Sequence, residues 1–80
     1  MRAEAEFTVE PFVEGQPGPH VTAAVEAVRG VGLEPDMGPF GTSVSGELDD
    51  VVQAVSAAIA AAARSGAGRV SLQVTLDDAP

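Results

Sequence analysis

Residues that could recognise a small molecule are concentrated in one stretch, Met37-Gly-Pro-Phe-Gly-Thr-Ser-Val-Ser-Gly-Glu-Leu-Asp49. Small and hydroxyl-bearing residues (Gly38, Gly41, Thr42, Ser43, Ser45, Gly46) crowd around a single aromatic, Phe40, and end on the carboxylates Glu47 and Asp49. Small side chains let a ligand approach the backbone closely, and an aromatic ring offers a flat apolar wall. The same residues would also serve as an ordinary turn between two strands.

Catalysis is tested by elimination. The chain has no cysteine, a single histidine (His20) and no lysine, which removes the usual nucleophile and base pairs. Ser43 and Ser45 have no base at a defined spacing. Glu47 with Asp49 or Asp50 is a pair of acids at a helix start, where capping and dipole roles predominate over acid–base work. No Walker-type phosphate loop and no dinucleotide fingerprint follows a strand, and Gly38-x-x-Gly41 is too short to count as either. One histidine without thiolates also leaves no multi-histidine or cysteine metal cluster. The expectation is a non-catalytic domain with no metal and no cofactor. His20, at a helix start beside a loop, reads as a solvated turn residue.

Composition narrows the partners. Eighty residues make one domain, 1–80, near the small end of what folds without staples. Twelve acidic residues against four basic ones give a net charge of −8. Nucleic acid and anionic membrane are therefore poor partners, and neither is expected, since almost no basic surface exists to neutralise phosphates. A cationic small molecule is electrostatically compatible. The opening Met1-Arg2-Ala3-Glu4 lacks the apolar run of a signal peptide, and no apolar segment is long enough to span a bilayer. The expected location is the cytoplasm.

Six elements must position the central stretch. Residues 3 to 10 alternate, with Ala3, Ala5, Phe7 and Val9 on one side and Glu4, Glu6, Thr8 and Glu10 on the other, which predicts a strand with one buried face. Pro11 and the run from Gly15 to Pro19 break regular structure. A helix is expected over Pro19–Gly30, with Val21, Ala24, Val25, Val28 and Val31 as its apolar stripe and Gly32 ending it in a left-handed turn. Leu33 to Met37 reads as an edge strand, blunted by Pro35 and Pro39. Thr42 to Glu47 reads as its partner, with Val44 and Thr42 on one side and Ser43, Ser45 and Glu47 on the other.

A second helix is expected over Leu48–Arg64, with Leu48, Val51, Val52, Val55, Ile59 and Ala62 buried. Asp49 and Asp50 in its first turn and Arg64 in its last suit the helix dipole. Val52 and Ile59 should face Leu72 and Val74, so that Ile59→Ala costs roughly 2–4 kcal/mol. Arg69 to Leu76 is the final strand, with Val70, Leu72, Val74 and Leu76 inward. The order βαββαβ predicts an α+β, ferredoxin-like sandwich: a four-stranded antiparallel sheet with two helices on one face, the first and third strands central.

The pattern Gly38-Pro-Phe-Gly-Thr-Ser-Val-x-Gly-Glu-Leu-Asp49 resembles the small thiamine-binding, YkoF-like family of ferredoxin-like proteins. Further matches are Phe7-x-Val9-x-Pro11, Gly32-Leu33, Leu48-Asp49 and Arg69-Val70, so the resemblance covers nearly the whole chain. It implies binding of thiamine (vitamin B1) or its hydroxymethylpyrimidine part, in vitamin supply or trafficking, with no reaction and with dimers or tetramers as the assembly. On that implication, Phe40 would wall the aminopyrimidine, and Thr42 and Ser43 would meet its edge. Glu47, with Glu10, would lie near the cationic thiazolium. Two departures bear on ligand identity: Ser45 stands where the family often has an acid, and Asp77-Asp78 is followed by Ala79 instead of an x-Arg ending.

A second reading is a ligand-free structural or regulatory oligomerisation domain, because sandwiches of this kind host many functions. The final strand favours self-association in either case. Val70 to Leu76 has no proline, lysine or glycine to discourage pairing of its free edge, so a homodimer or homotetramer is expected.

Overall fold

The computed structural model describes residues 1–11, 18–38 and 41–77. Its elements are β1 (Arg2–Glu10), α1 (Pro19–Gly30), β2 (Asp36–Met37), β3 (Thr42–Glu47), α2 (Leu48–Arg64) and β4 (Arg69–Asp77). The four strands form one antiparallel sheet in the order β2-β3-β1-β4, with the first and third strands central. The alternation of β1 decides its faces: Ala3, Ala5, Phe7 and Val9 are buried, whereas Arg2, Glu4, Glu6 and Glu10 are exposed. Val21, Ala24 and Val28 of α1 and Val51, Ala54, Val55, Ala58 and Ala62 of α2 join those four in a single core, so both helices cover the same face of the sheet.

The helix ends follow from local chemistry. Pro19 opens α1, where its missing N–H leaves no bond unmade. Gly32 follows its end with φ +100°, and Gly66 follows α2 with φ +102°, backbone conformations in which a side chain would be strained. Asp49 and Asp50 lie in the first turn of α2 and Arg64 in its last.

Four expectations are corrected. β2 is only Asp36–Met37 and not Leu33–Met37, since Pro35 has no N–H to donate and the ladder begins after it. Val52 and Ile59 do not belong to the buried stripe of α2; they are 53% and 42% exposed, and Ala54 and Ala58 take the inward positions. Leu72, Val74 and Leu76 pair in register with Phe7, Ala5 and Ala3 and so share the helix side of the sheet, yet they are 40%, 45% and 57% exposed. α2 lies over β1 and β3 and barely reaches β4, which leaves that side of the edge strand uncovered. His20 is buried, not solvated, and its Nε2 hydrogen-bonds with the Pro11 carbonyl oxygen. A Cβ at Gly18 would stand 2.7 Å from the His20 ring, so the glycine makes room for the buried imidazole.

Candidate functional site

The central stretch forms one end of the sheet. Gly38 N–H donates to the Gly41 carbonyl over 2.8 Å, closing the turn between β2 and β3. β3 then runs against β1 with Thr42 opposite Phe7, Ser43 opposite Glu6, and Glu47 opposite Arg2. Gly41 is held to glycine by contact: a Cβ there would lie 2.9 Å from the Phe7 carbonyl oxygen and 3.1 Å from Thr8 Cγ2. Thr42 is buried on the helix side with Val44, and Ser43 is half-buried on the open side of the sheet. Phe40, the expected aromatic wall, lies outside the described residues.

Two hollows flank this end. On the helix side, Phe7, Val21, Met37, Gly38, Gly41 and Thr42 line a cleft of about 20 Å³, room for little more than a water molecule. On the open side, a groove of about 260 Å³ runs between β1 and β4, lined by Glu6, Phe7, Thr8, Ser71, Leu72 and Gln73. Thr8 borders both hollows and packs beside Gly41. The groove offers one carboxylate, one amide and two hydroxyls, a set able to accept from and donate to the edge of a small polar molecule.

The expected acids are spread out. Glu47 stands four residues along β3 from Ser43, about 13 Å at the ordinary rise of a strand. Glu10 stands four residues along β1 from Glu6, the neighbour of Ser43, again about 13 Å away. Glu47 and Glu10 thus lie at opposite ends of the sheet, roughly 27 Å apart, and within one copy they cannot share a ligand that touches Ser43. Each also has a cation of its own: the Met1 amine is 3.5 Å from Glu47 Oε2, and Arg69 Nε is 3.6 Å from Glu10 Oε1.

The structure therefore sets Ser43 beside Glu6 on the open side of the sheet and does not bring Thr42 to them, because Thr42, one residue away in the strand, is buried on the opposite, helix side. Among the described residues, no ion pair involves Glu6 or Glu4, and their cross-strand neighbours (Ser43, Ser45, Gln73 and Thr75) are all neutral. Sequence reasoning did not single out Glu6, Thr8, Ser71 and Gln73, which line the open groove. The alternation of each strand already put them on the open face. What it lacked was the register that sets Glu6 between Ser43 and Gln73.

A βαββαβ chain with an antiparallel sheet, both helices on one face and a glycine-bounded turn beside a polar groove is a small ferredoxin-like α+β protein. It belongs to the thiamine-binding protein family, whose model matches residues 5–80. A domain of unknown function from Bacillus cereus is similar in structure, with 27% identity and a TM-score of 0.68, over 92% of this chain and 72% of that one. A proposed thiamine biosynthesis/salvage protein from Thermotoga maritima is similar at 25% identity and a TM-score of 0.66, over 94% of this chain and 81% of that one. A hypothetical protein from Methanocaldococcus jannascii shares the fold at 22% identity and a TM-score of 0.70, over 99% of this chain and 81% of that one. No curated protein matches the sequence. No described helix is long and apolar enough to cross a membrane.

Proposed function

We propose that residues 1–80 act as one domain that binds thiamine or its hydroxymethylpyrimidine moiety without turning it over, serving vitamin supply or trafficking in the cytoplasm. The family match over residues 5–80 is the observation that carries this reading. The similarity to a proposed thiamine biosynthesis/salvage protein from Thermotoga maritima supports it. The ligand is a small cationic vitamin, neither a nucleic acid nor a membrane is a partner, no cofactor or metal is required, and the chain works as a homodimer or homotetramer.

The pyrimidine meets the Gly41-Thr42-Ser43 end of β3 with Phe40, and the thiazolium lies toward a carboxylate. Glu6 is the carboxylate directly opposite Ser43, and it lines the open groove. Glu47 and Glu10, each about 13 Å from that point along its strand, are the competing anchors. The attraction between the thiazolium and a carboxylate is worth about 0.5–2 kcal/mol, depending on how far the pair is desolvated.

Isothermal titration with thiamine and with hydroxymethylpyrimidine tests the reading. Heat with both ligands, and both recovered unchanged, is the expected result. Glu6→Gln should weaken thiamine more than the neutral pyrimidine, because only thiamine carries the charge. If Glu47→Gln or Glu10→Gln shows that difference instead, the anchor is reassigned. No heat with either ligand, in folded protein, favours the ligand-free oligomerisation domain.

A further inference from the structure

We infer that the open side of the sheet selects the unphosphorylated form of its ligand and turns away the phosphate esters. This rests on the reading above, that a thiamine-class ligand occupies the groove beside Ser43, and it adds which form of that ligand the groove holds.

The register sets four side chains in one row across the open side. Asp36 stands beside Ser43, Ser43 beside Glu6, and Glu6 beside Gln73, on four neighbouring strands. At the ordinary spacing of strands the row is about 14 Å long, and Asp36 lies about 10 Å from Glu6. Glu4, two residues along β1, adds a third carboxylate about 7 Å from Glu6 on the same side. All three acids are exposed, and among the described residues none of them takes part in an ion pair.

The cations stand elsewhere. The chain has four basic residues, the arginines Arg2, Arg29, Arg64 and Arg69. Arg29 and Arg64 close the last turns of α1 and α2, which cover the other face of the sheet. Arg2 is on the open side, but four residues (about 13 Å) from Glu6, and it stands between Glu47 and Asp77. Arg69 comes nearest, two residues from Ser71, and its Nε lies 3.6 Å from Glu10 Oε1. Every cation on the open side thus has an acid beside it, whereas the carboxylates around the groove face only neutral neighbours.

The remaining polar groups of the groove, Thr8, Ser71 and Gln73, are uncharged. Hydroxyls and an amide suit a free hydroxyl on the ligand, which both donates and accepts. They bring no charge to a phosphate. Thiamine carries one fixed positive charge, and a phosphate ester adds about two negative charges at neutral pH, so the ester is a net anion. The carboxylates that attract the first therefore repel the second. Phosphoryl transfer to the ligand's hydroxyl, the class of reaction that consumes the free form, yields a product that this face does not retain.

The test is calorimetric titration of the folded full chain with thiamine, thiamine monophosphate and thiamine diphosphate, at low salt and at about 0.3 M salt. At low salt the monophosphate should bind at least about tenfold more weakly than thiamine, and the diphosphate more weakly still. The gap should narrow at the higher salt, and also in Asp36→Asn, a change at an exposed position that leaves Glu6 and the groove lining in place. A monophosphate that binds as tightly as thiamine or more tightly, with Arg69→Gln removing its binding, overturns the selectivity and leaves the thiamine-class reading standing. A gap that neither salt nor Asp36→Asn moves also overturns it, because the charge of this face is then not the cause. No binding of any of the three overturns the thiamine-class reading and the selectivity with it.

Discussion

β2 and β4 both border the sheet, and they manage that position in opposite ways. β2 is two exposed residues behind Pro35, too short to attract another strand. β4 runs the full nine-residue length of β1 and, beyond Val70, carries apolar side chains on a side that α2 barely reaches. The difference teaches that alternation assigns a residue to a face, while burial depends on how far the opposing layer reaches. Along β1 both conditions are met, and Ala3, Ala5, Phe7 and Val9 are buried. Along β4 only the first is met, and the outward flank of α2, with Val52 and Ile59, is left bare for the same reason.

The contrast between the covered strand and the bare one can be broken by substitution. Phe7→Ala, in the covered strand, should cost about 3–5 kcal/mol in chemical denaturation, because a buried ring is removed from a core too small to collapse around the void. A loss below about 1 kcal/mol would mean that the centre of the sheet is not where the stability resides. Gly41→Ala should cost about 1–3 kcal/mol, since the new Cβ would push on the Phe7 carbonyl and Thr8; an unchanged denaturation midpoint would show that the β1–β3 contact yields freely. Ile59→Ala should cost under about 1 kcal/mol in a dilute, dissociated sample, less than half the value its helical spacing alone suggests. The same substitution should weaken self-association, so a concentration-dependent melting temperature that becomes flat in the variant would sharpen the comparison. Smallest of all, Glu47→Gln should change stability by no more than about 0.5 kcal/mol, because its contact with the Met1 amine is a solvent-exposed pair.

Much of the fold was legible in residue periodicity. The bounds of α1, β3 and α2 follow from Pro19, Gly32, the Thr42 to Glu47 alternation and the alanine-rich run before Gly66. The order βαββαβ then gives the strand order. Burial on α2 was misjudged because Val and Ile were preferred over Ala as core residues, whereas close packing of α2 on the sheet takes the small side chains of Ala54 and Ala58 inward. The short β2 follows from Pro35, whose missing N–H outweighs the alternation of Leu33 to Met37. Thr42 and Ser43 were placed on their faces by strand parity. Glu6 was overlooked because its place beside Ser43 depends on the register between β1 and β3, and register is set by packing between strands distant in sequence. The buried His20 escaped for a similar reason: its hydrogen-bond partner, the Pro11 carbonyl, lies nine residues away in the chain.

The central claim, a thiamine-class site at the Gly41-Thr42-Ser43 end of β3, is most directly tested by following backbone amide shifts of the isotope-labelled chain during titration with thiamine. The largest saturable shifts are expected at Gly41, Thr42, Ser43 and Glu6, extending to Gln73 across the groove, with α1 beyond its first turn unmoved. Shifts confined to Glu47 and the start of α2, or no saturable shift in folded protein, would contradict it.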